Sequence, residues 1–474
     1  MLLRRAVPVA CLALGLFTAR PSSAGGLASV YDNQSHLMGS RAAGMGGAYT
    51  ALACDEAALH YNVAGLGCAE HSHLELVANA YMVQSYSLPR ALGEGQNLTA
   101  TTYHSIPSAV GAVYIVSRGE PETRRGRQTF GFLVTVPASI SLKSEPTNAA
   151  SRNYLTTSIR DDVLAGDVGY SYQLGSNLTL GVSAGGLLRT SNTTTAFLLT
   201  RPLAIPGIAG SEFVSASTEA ETFAIGLRAK VGVRWTPTRS LALGWQLTTP
   251  TWDVYGSYRQ SYNVAVATLD ASGPSLDATP VRFSGSSGAG FPLRLAFGAA
   301  YLGKGYTLSA DASVNLPRSI KIASRVVSQR VDGVPQSDAT PITLERVVQP
   351  NVNVGAEVRI TPDVAVEVGA FTDLSSVPRR TTNEDHIDMF GGSLALTLLG
   401  AQTRGTFGLS FSYGSADSKV SSGAFTLDAV SSAGSVVSTV SRWNLIGMIG
   451  SNYSFLPDDV AAKAMKKDRE LSRP

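Results

Sequence analysis

Six histidines, His36, His60, His71, His73, His104 and His386, are the first candidates for metal binding or proton transfer. Only His71 and His73 are spaced to share one strand face, and no cysteine or carboxylate completes a metal set beside them. The pair reads more simply as a polar feature at an interface. No G-x-S-x-G elbow, phosphate-binding loop or H-E-x-x-H occurs, so the sequence assigns no catalytic residue, no metal and no cofactor. Charged residues offer other chemistry. Asp167, Arg228, Lys230, Arg234, Arg294, Asp311, Glu357, Arg359 and Glu367 fall on one face of segments with period two. They could receive a carboxylate, with arginine pairing it bidentately. The simpler expectation is that they pair with one another. Trp245, Trp252, Tyr255 and Tyr258 either line an apolar site or, as the plainer reading has it, mostly form an interfacial aromatic belt.

The segments that carry these residues are strands. In Tyr306–Asn315, Tyr306, Leu308, Ala310, Ala312 and Val314 alternate with polar residues, and Asn351–Ile360 repeats the pattern. Side chains of a strand point alternately to its two faces, so each segment has one apolar and one polar face. Fourteen strands are expected, near 73–84, 107–117, 129–138, 163–174, 178–190, 222–236, 241–262, 291–302, 306–315, 349–360, 364–372, 389–399, 404–413 and 443–455. Several run about ten residues, enough for a tilted strand to cross a bilayer. Long polar links alternate with short turns near 175–177, 237–240, 303–305, 361–363 and 400–403. Only the link near 118–128 is longer than a short turn should be. One rim of long loops and one of tight turns predicts an all-β, transmembrane, antiparallel up-and-down barrel. A soluble sandwich would follow no such rule.

Composition agrees. Charged residues are 15% of the chain, against roughly 25% in ordinary soluble domains. Three of the 38 basic residues, Arg4, Arg5 and Arg20, lie in the first 24 positions, which leaves 35 against 35 acidic residues. A balanced chain without a basic patch gives no case for nucleic acid. Residues 1–24 read as a secretory signal peptide: a basic start, an apolar stretch Ala6–Ala19 and small residues Ser22-Ser23-Ala24 before the expected cleavage. Trp443, Leu445, Ile449, Tyr453 and Phe455 share one face of the last strand, similar to the closing assembly signal of bacterial outer-membrane proteins. The charged tail 456–474 is expected in the periplasm.

A long string precedes the first strand. Gly39-Ser40-Arg41-Ala42-Ala43-Gly44-Met45-Gly46-Gly47-Ala48-Tyr49-Thr50-Ala51-Leu52-Ala53, then Asp55-Glu56-Ala57-Ala58-Leu59-His60-Tyr61-Asn62-Val63-Ala64-Gly65-Leu66, resembles the hatch of the long-chain fatty acid transporter (FadL/TodX) family. Phe291–Gly298, Val354–Glu357, Val368–Phe371 and Ser376–Pro378 resemble later strands of that family and a loop. The resemblance implies a barrel of fourteen strands plugged by residues 25–67, with the wall in 68–455. It also implies passive uptake of hydrophobic molecules such as long-chain fatty acids or aromatic hydrocarbons. Hatch and gating residues would be Gly44, Gly46, Gly47, Asn62, Val63, Ala64 and Gly65. The glycines reach backbone angles closed to other residues. Ala48–Tyr61, rich in alanine, is expected to be a short helix with Asn62–Gly65 as its stop. The family usually has Asn-Pro-Ala where this chain has Asn62-Val63-Ala64, so this chain keeps a backbone donor that proline lacks.

Two cysteines remain after the signal peptide, Cys54 and Cys68. They lie fourteen positions apart in an exported chain, so a disulfide is expected over two unpaired buried thiols. The implied partners are outer-membrane lipid, a hydrophobic small molecule and the barrel-assembly machinery, with the chain a monomer in the outer membrane of a Gram-negative bacterium. The alternative is a barrel that acts as a protein partner in secretion or surface attachment, its long loops near 316–348 and 414–442 serving as docking sites.

Overall fold

The computed structural model describes residue 32 and residues 37–89, 97–106, 109–120, 122–144, 147–148, 153–202, 211–270, 273–330, 335–339, 342–379, 384–418 and 438–455. The signal peptide and the charged tail expected from the sequence lie outside the described residues.

The wall is a closed barrel of 14 antiparallel strands. They are β1 (His73–Leu88), β2 (Leu98–Ile106 and Ala109–Ser117), β3 (Gln128–Ser144), β4 (Asn153–Gln173), β5 (Leu178–Pro202), β6 (Ser211–Thr238) and β7 (Leu241–Thr248 and Trp252–Asp270). The others are β8 (Gly273–Ser286 and Arg294–Leu302), β9 (Tyr306–Asn315 and Arg318–Arg330), β10 (Ile342–Arg346 and Gln349–Thr361), β11 (Val364–Asp373), β12 (Met389–Leu399), β13 (Thr403–Ser418) and β14 (Ser438–Ser454). Each pairs with its chain neighbours. β14 pairs with β1 from His73↔Ser454 to Ser87↔Ser441, so the sheet has no free edge. Lipid demands that closure, because it cannot satisfy open backbone groups.

Burial is inverted relative to a soluble protein. Leu409 and Leu394 are 58% and 59% exposed, whereas Glu367 and Lys230 are 0% and 2% exposed. Apolar side chains outside and polar ones inside are the mark of a barrel whose solvent is lipid.

Several expectations needed revision. The segments near 85–106, 139–162, 191–221, 263–290 and 316–348, expected to be long polar links, are largely strand where described, so the link near 316–348 is not the long docking loop expected of it. β5 and β6 stay paired as far as Pro202↔Ser211, and β7 and β8 as far as Asp270↔Gly273. Runs such as Thr193-Thr194-Thr195 lack alternation, yet threonine is β-branched and a long hairpin satisfies its backbone. These extensions far exceed the ten residues or so that cross a bilayer. Their surroundings change accordingly. In β3, Gly131, Leu133 and Thr135 face inward with Phe132 and Val134 outside; beyond a register shift between Thr135 and Ala138, the inward residues are Ala138, Ile140 and Leu142. Pro137 lies in that shift, where it cannot donate to the ladder. Above it the outside is polar and the inside apolar.

Candidate functional site

Residues Met38–Cys68 lie inside the barrel. They form two short helices, α1 (Ser40–Gly44) and α2 (Ala58–Tyr61), and a 3-10 turn, Val63–Cys68. The helix expected over Ala48–Tyr61 is confined to its last turn, because residues 48–57 turn repeatedly to bring their backbone against the wall. Alanine makes this possible: Ala42, Ala48, Ala51, Ala53 and Ala58 are wholly buried, and small side chains let the backbone approach the wall. Gly46 and Gly47 have φ of 64° and 79°, a region open mainly to glycine. A Cβ on Gly46 would stand 2.9 Å from the Ala370 amide of β11.

The wall holds this segment through its backbone. Asp311 Oδ2 accepts from the Tyr49 and Thr50 amides at 2.8 and 2.7 Å. Asn353 donates to Gly46 O at 2.6 Å, and Ser393 donates to Gly44 O at 2.9 Å. Ser40 Oγ donates to Glu75 at 2.7 Å, and Arg41 Nε pairs with Glu357 Oε2 at 2.7 Å. Arg404 joins Glu357 to Glu367, at 3.3 and 2.6 Å. Asn62 donates to Thr50 O and Val233 O and caps the 3-10 turn through Ala64 N. The donor that replaces the family's proline has a partner. Val63 N donates to Gln246 Oε1 at 2.9 Å, while Gln246 Nε2 donates to His60 O at 2.8 Å. Gln246 was invisible to the sequence reading, since a lone glutamine on a strand carries no pattern.

The charges singled out from sequence have several fates. Asp167 pairs with Arg228 at 2.8 Å and Lys230 at 2.9 Å, and Lys230 also donates to Leu59 O at 2.5 Å. Arg234 donates to Ala51 O at 3.2 Å. Arg294 faces a central cavity of about 120 Å³, with its buried Nε unpartnered. Arg359 shares the face of Glu357 but is exposed beside the tight turn, where the register shifts between Arg359 and Thr361; it does not join the inner cluster. Most of these groups pair internally or grip the N-terminal segment. Of the aromatics, Trp252 and Tyr255 face outward, 55% and 57% exposed, and Trp245 is half-buried. Tyr258 departs from the belt: it is buried inside, donating to Gln260 at 2.8 Å.

Cys54 and Cys68 are joined by a disulfide that clasps α2 and the 3-10 turn. A loop of this length constrains the unfolded chain by roughly 3 kcal/mol in the entropy model. Thiol labelling of the denatured, unreduced mature protein should therefore find no reactive thiol, and two after reduction; two before reduction would exclude the bridge.

Glu56 sits beside Asp55 and beside Glu75 and His73 of β1, with His73 Nε2 3.4 Å from its carboxyl. Burial, then the charges of Glu75 and Asp55, push the Glu56 carboxyl well above its ordinary 4.5. A raised acid is protonated in the docked segment and ionised when released. Docking is therefore penalised progressively as pH rises above 4.5, and the penalty levels off past the raised value. Hydrogen exchange at the Tyr49 and Thr50 amides should gain protection in Glu56→Gln at about pH 8, and little at about pH 4. Equal protection at both would refute this linkage.

Above the segment the lumen changes character. Ile140, Leu142, Ile159, Leu187, Ile320 and Met389 form one buried apolar cluster drawn from five strands on both sides of the barrel. The link after β11 folds in over it: Ser375, Val377, Asp385 and Ile387 are buried, Arg346 grips Glu384 with two bonds of 2.7 and 2.8 Å, and Tyr86 donates to Asp385 at 2.7 Å. The cavity between the two layers extends from Pro137 and Ala138 of β3 to Phe291 and Pro292 on another wall. At Pro137 the wall is incomplete. β2 and β3 pair from Ala109↔Thr135 to Ser117↔Gln128, and among the described residues no backbone pair joins Leu98–Ile106 to β3. Side chains bridge instead, Ser144 Oγ donating to Thr99 O at 3.0 Å.

No protein-family model matches the sequence, and none of the curated proteins matches it. Solved structures do. The P. putida toluene transporter TodX is similar with a TM-score of 0.62 at 14% identity, over 88% of this chain and 99% of that one. A Pseudomonas aeruginosa FadL homologue aligns over 90% and 100% of the two chains, with a TM-score of 0.57 and 14% identity. The Ralstonia pickettii toluene transporter TbuX gives 0.53 at 16% identity, over 88% and 98%. With its closed wall of 14 strands, the chain has the fold of the FadL/TodX outer-membrane barrels.

Proposed function

We propose that this protein is a passive channel for hydrophobic small molecules in the outer membrane of a Gram-negative bacterium, with residues 25–67 as its hatch. One observation carries the reading. Barrel interiors are ordinarily polar, yet the extracellular half of this lumen presents Ile140, Leu142, Leu187 and Ile320 inward. An apolar solute leaving water gains about 25 cal/mol for each Å² it buries there. Below this layer the hatch and its polar partners close the axis, so a solute meets the cavity and then the β2–β3 interruption. TodX and TbuX are described as toluene transporters, which suits the same class of cargo. The protein needs no catalytic group for this work. Its partners are lipid, the cargo and, during insertion, the barrel-assembly machinery, and it acts as a monomer.

Uptake of radiolabelled oleate and toluene by cells lacking their own channels tests the reading. Expression of the protein should raise the initial rate for at least one of them. A correctly folded barrel that raises neither would refute it, and recovery of a tightly bound secreted protein instead would favour the partner role.

A further inference from the structure

The wall is interrupted a second time. β7 to β10 each break at nearly the same height, 8 to 13 residues above the tight turns, and Pro250, Pro292, Pro317 and Pro350 lie at or beside the breaks. Proline has no amide proton, so a ladder reaching it loses a bond. The largest break is in β8. Its ladder with β9 stops at Ser286↔Ser324 and resumes only at Arg294↔Asn315. The residues between, 287–293, turn into the lumen, with Ser287, Gly288, Ala289 and Gly290 buried.

Hydrogen bonds fasten this inward loop, among them those that Arg318 donates to Phe291 O and, at 2.8 Å, to Thr251 O. Leu316 N donates to Leu293 O, Gly288 N to Lys321 O, and Thr251 N to Phe291 O, at 2.9, 3.1 and 3.0 Å. Asp253 Oδ1 accepts the Ala289 amide at 2.7 Å. Gly290 has a φ of 63°, and with Gly288 it gives the loop two residues of high backbone freedom. On its lumen side Ala289 belongs to the apolar cluster that contains Ile140 and Leu187. Phe291 and Pro292 line the central cavity opposite Pro137. On the outside, the break is flanked by Trp252, Val254, Leu316 and Val348, which are 55%, 62%, 38% and 48% exposed. An apolar lumen and an apolar outer rim are therefore separated here by one thin glycine-containing loop.

We propose that the β8–β9 break is a second lateral portal, through which hydrophobic cargo passes between the lumen and the lipid, and that residues 287–293 are its gate. This rests on the channel reading above. The loop needs to swing only far enough to expose Ala289 and Phe291 to the outer rim. An apolar solute crossing the break passes from Ala289 and Phe291 to Trp252 and Val254, whereas a polar one would leave cavity groups such as Arg294 and Asn315 for a lipid-facing rim that cannot replace them.

Two engineered disulfides separate the routes. Thr251→Cys with Phe291→Cys pins the gate to β7; Thr99→Cys with Ser144→Cys pins β2 to β3. The native cysteines are already paired with each other and leave no competing thiol. Initial uptake of labelled oleate is compared in oxidised cells, with barrel folding verified by gel mobility. The expected result is that each pin alone leaves substantial uptake and both together abolish it. If the β2–β3 pin alone abolishes uptake, or the gate pin changes nothing in either background, the second portal is wrong and the channel stands. If the unpinned parent shows no uptake, the channel reading itself fails. Should a pinned variant misfold, Ala289→Cys provides the second test. In proteoliposomes it should react with a bilayer-dissolved alkyl maleimide, and the reaction should slow with added oleate. Absence of labelling from the bilayer would overturn the proposal.

Discussion

Deleting Ser40–Gly65 is expected to turn a closed barrel into a pore of high conductance in planar bilayers. Small barrels of about eight strands fill their interior with wall side chains, and those of 16–18 leave a water channel. A wall of 14 strands falls between, and here a folded segment occupies the space. Removing it takes Tyr49, Leu59 and Val63 from the lumen, all at or near zero exposure. Glu75, Asp311, Glu357 and Lys230 lose their segment partners. In a dry interior each orphan would cost about 1–3 kcal/mol, but water fills the emptied lumen and hydrates them. The barrel therefore survives while ions pass. Cys68→Ser is included to avoid a lone thiol. Unchanged conductance in a correctly folded deletion variant would show that this segment does not seal the channel.

Much of the wall was legible in sequence because lipid imposes a strict rule. Where one face must be apolar and the other polar, the period of two survives, as in Tyr306–Asn315, and tight turns mark one rim. Legibility failed where that rule lapses. Beyond the bilayer, β5 and β6 run between water and water, so Ser191–Thr195 shows no alternation and reads as a loop. At Pro137 the alternation changes phase instead of ending, and with it the apolar face turns inward. No local pattern announces which side is solvent. The inner site divided in the same way. Asp167, Arg228, Asp311 and Glu357 stood out because charge on a membrane strand is uncommon and belongs inside. Gln246 and Asn353, which hold the segment by its backbone, are uncharged and leave no such trace. Arg359 had the right face and the wrong height, and height depends on where the turn falls.

Among single substitutions, Asp167→Asn is expected to cost most. Its carboxylate is 3% exposed and stands between Arg228 and Lys230, at 2.8 and 2.9 Å. Two cations this close repel each other, and the acid between them is what makes their burial tolerable. Taking one partner from a buried ion cluster costs about 3–5 kcal/mol, because the remaining charge is neither solvated nor paired. Gly185 shows how tightly the acid is placed: a Cβ there would come within 2.0 Å of Asp167 Oδ1. What keeps water from these cations is the N-terminal segment, since Lys230 Nζ also donates to Leu59 O at 2.5 Å. The cost of Asp167→Asn should thus depend on that segment. In the complete chain, urea unfolding from liposomes should show a loss of about 3–5 kcal/mol. In the Ser40–Gly65 deletion, where water reaches Arg228 and Lys230, the same substitution should cost about 1 kcal/mol or less, as exposed pairs do. Equal losses in both backgrounds would mean that the segment does not dry the cluster, and that Asp167 acts through the wall alone.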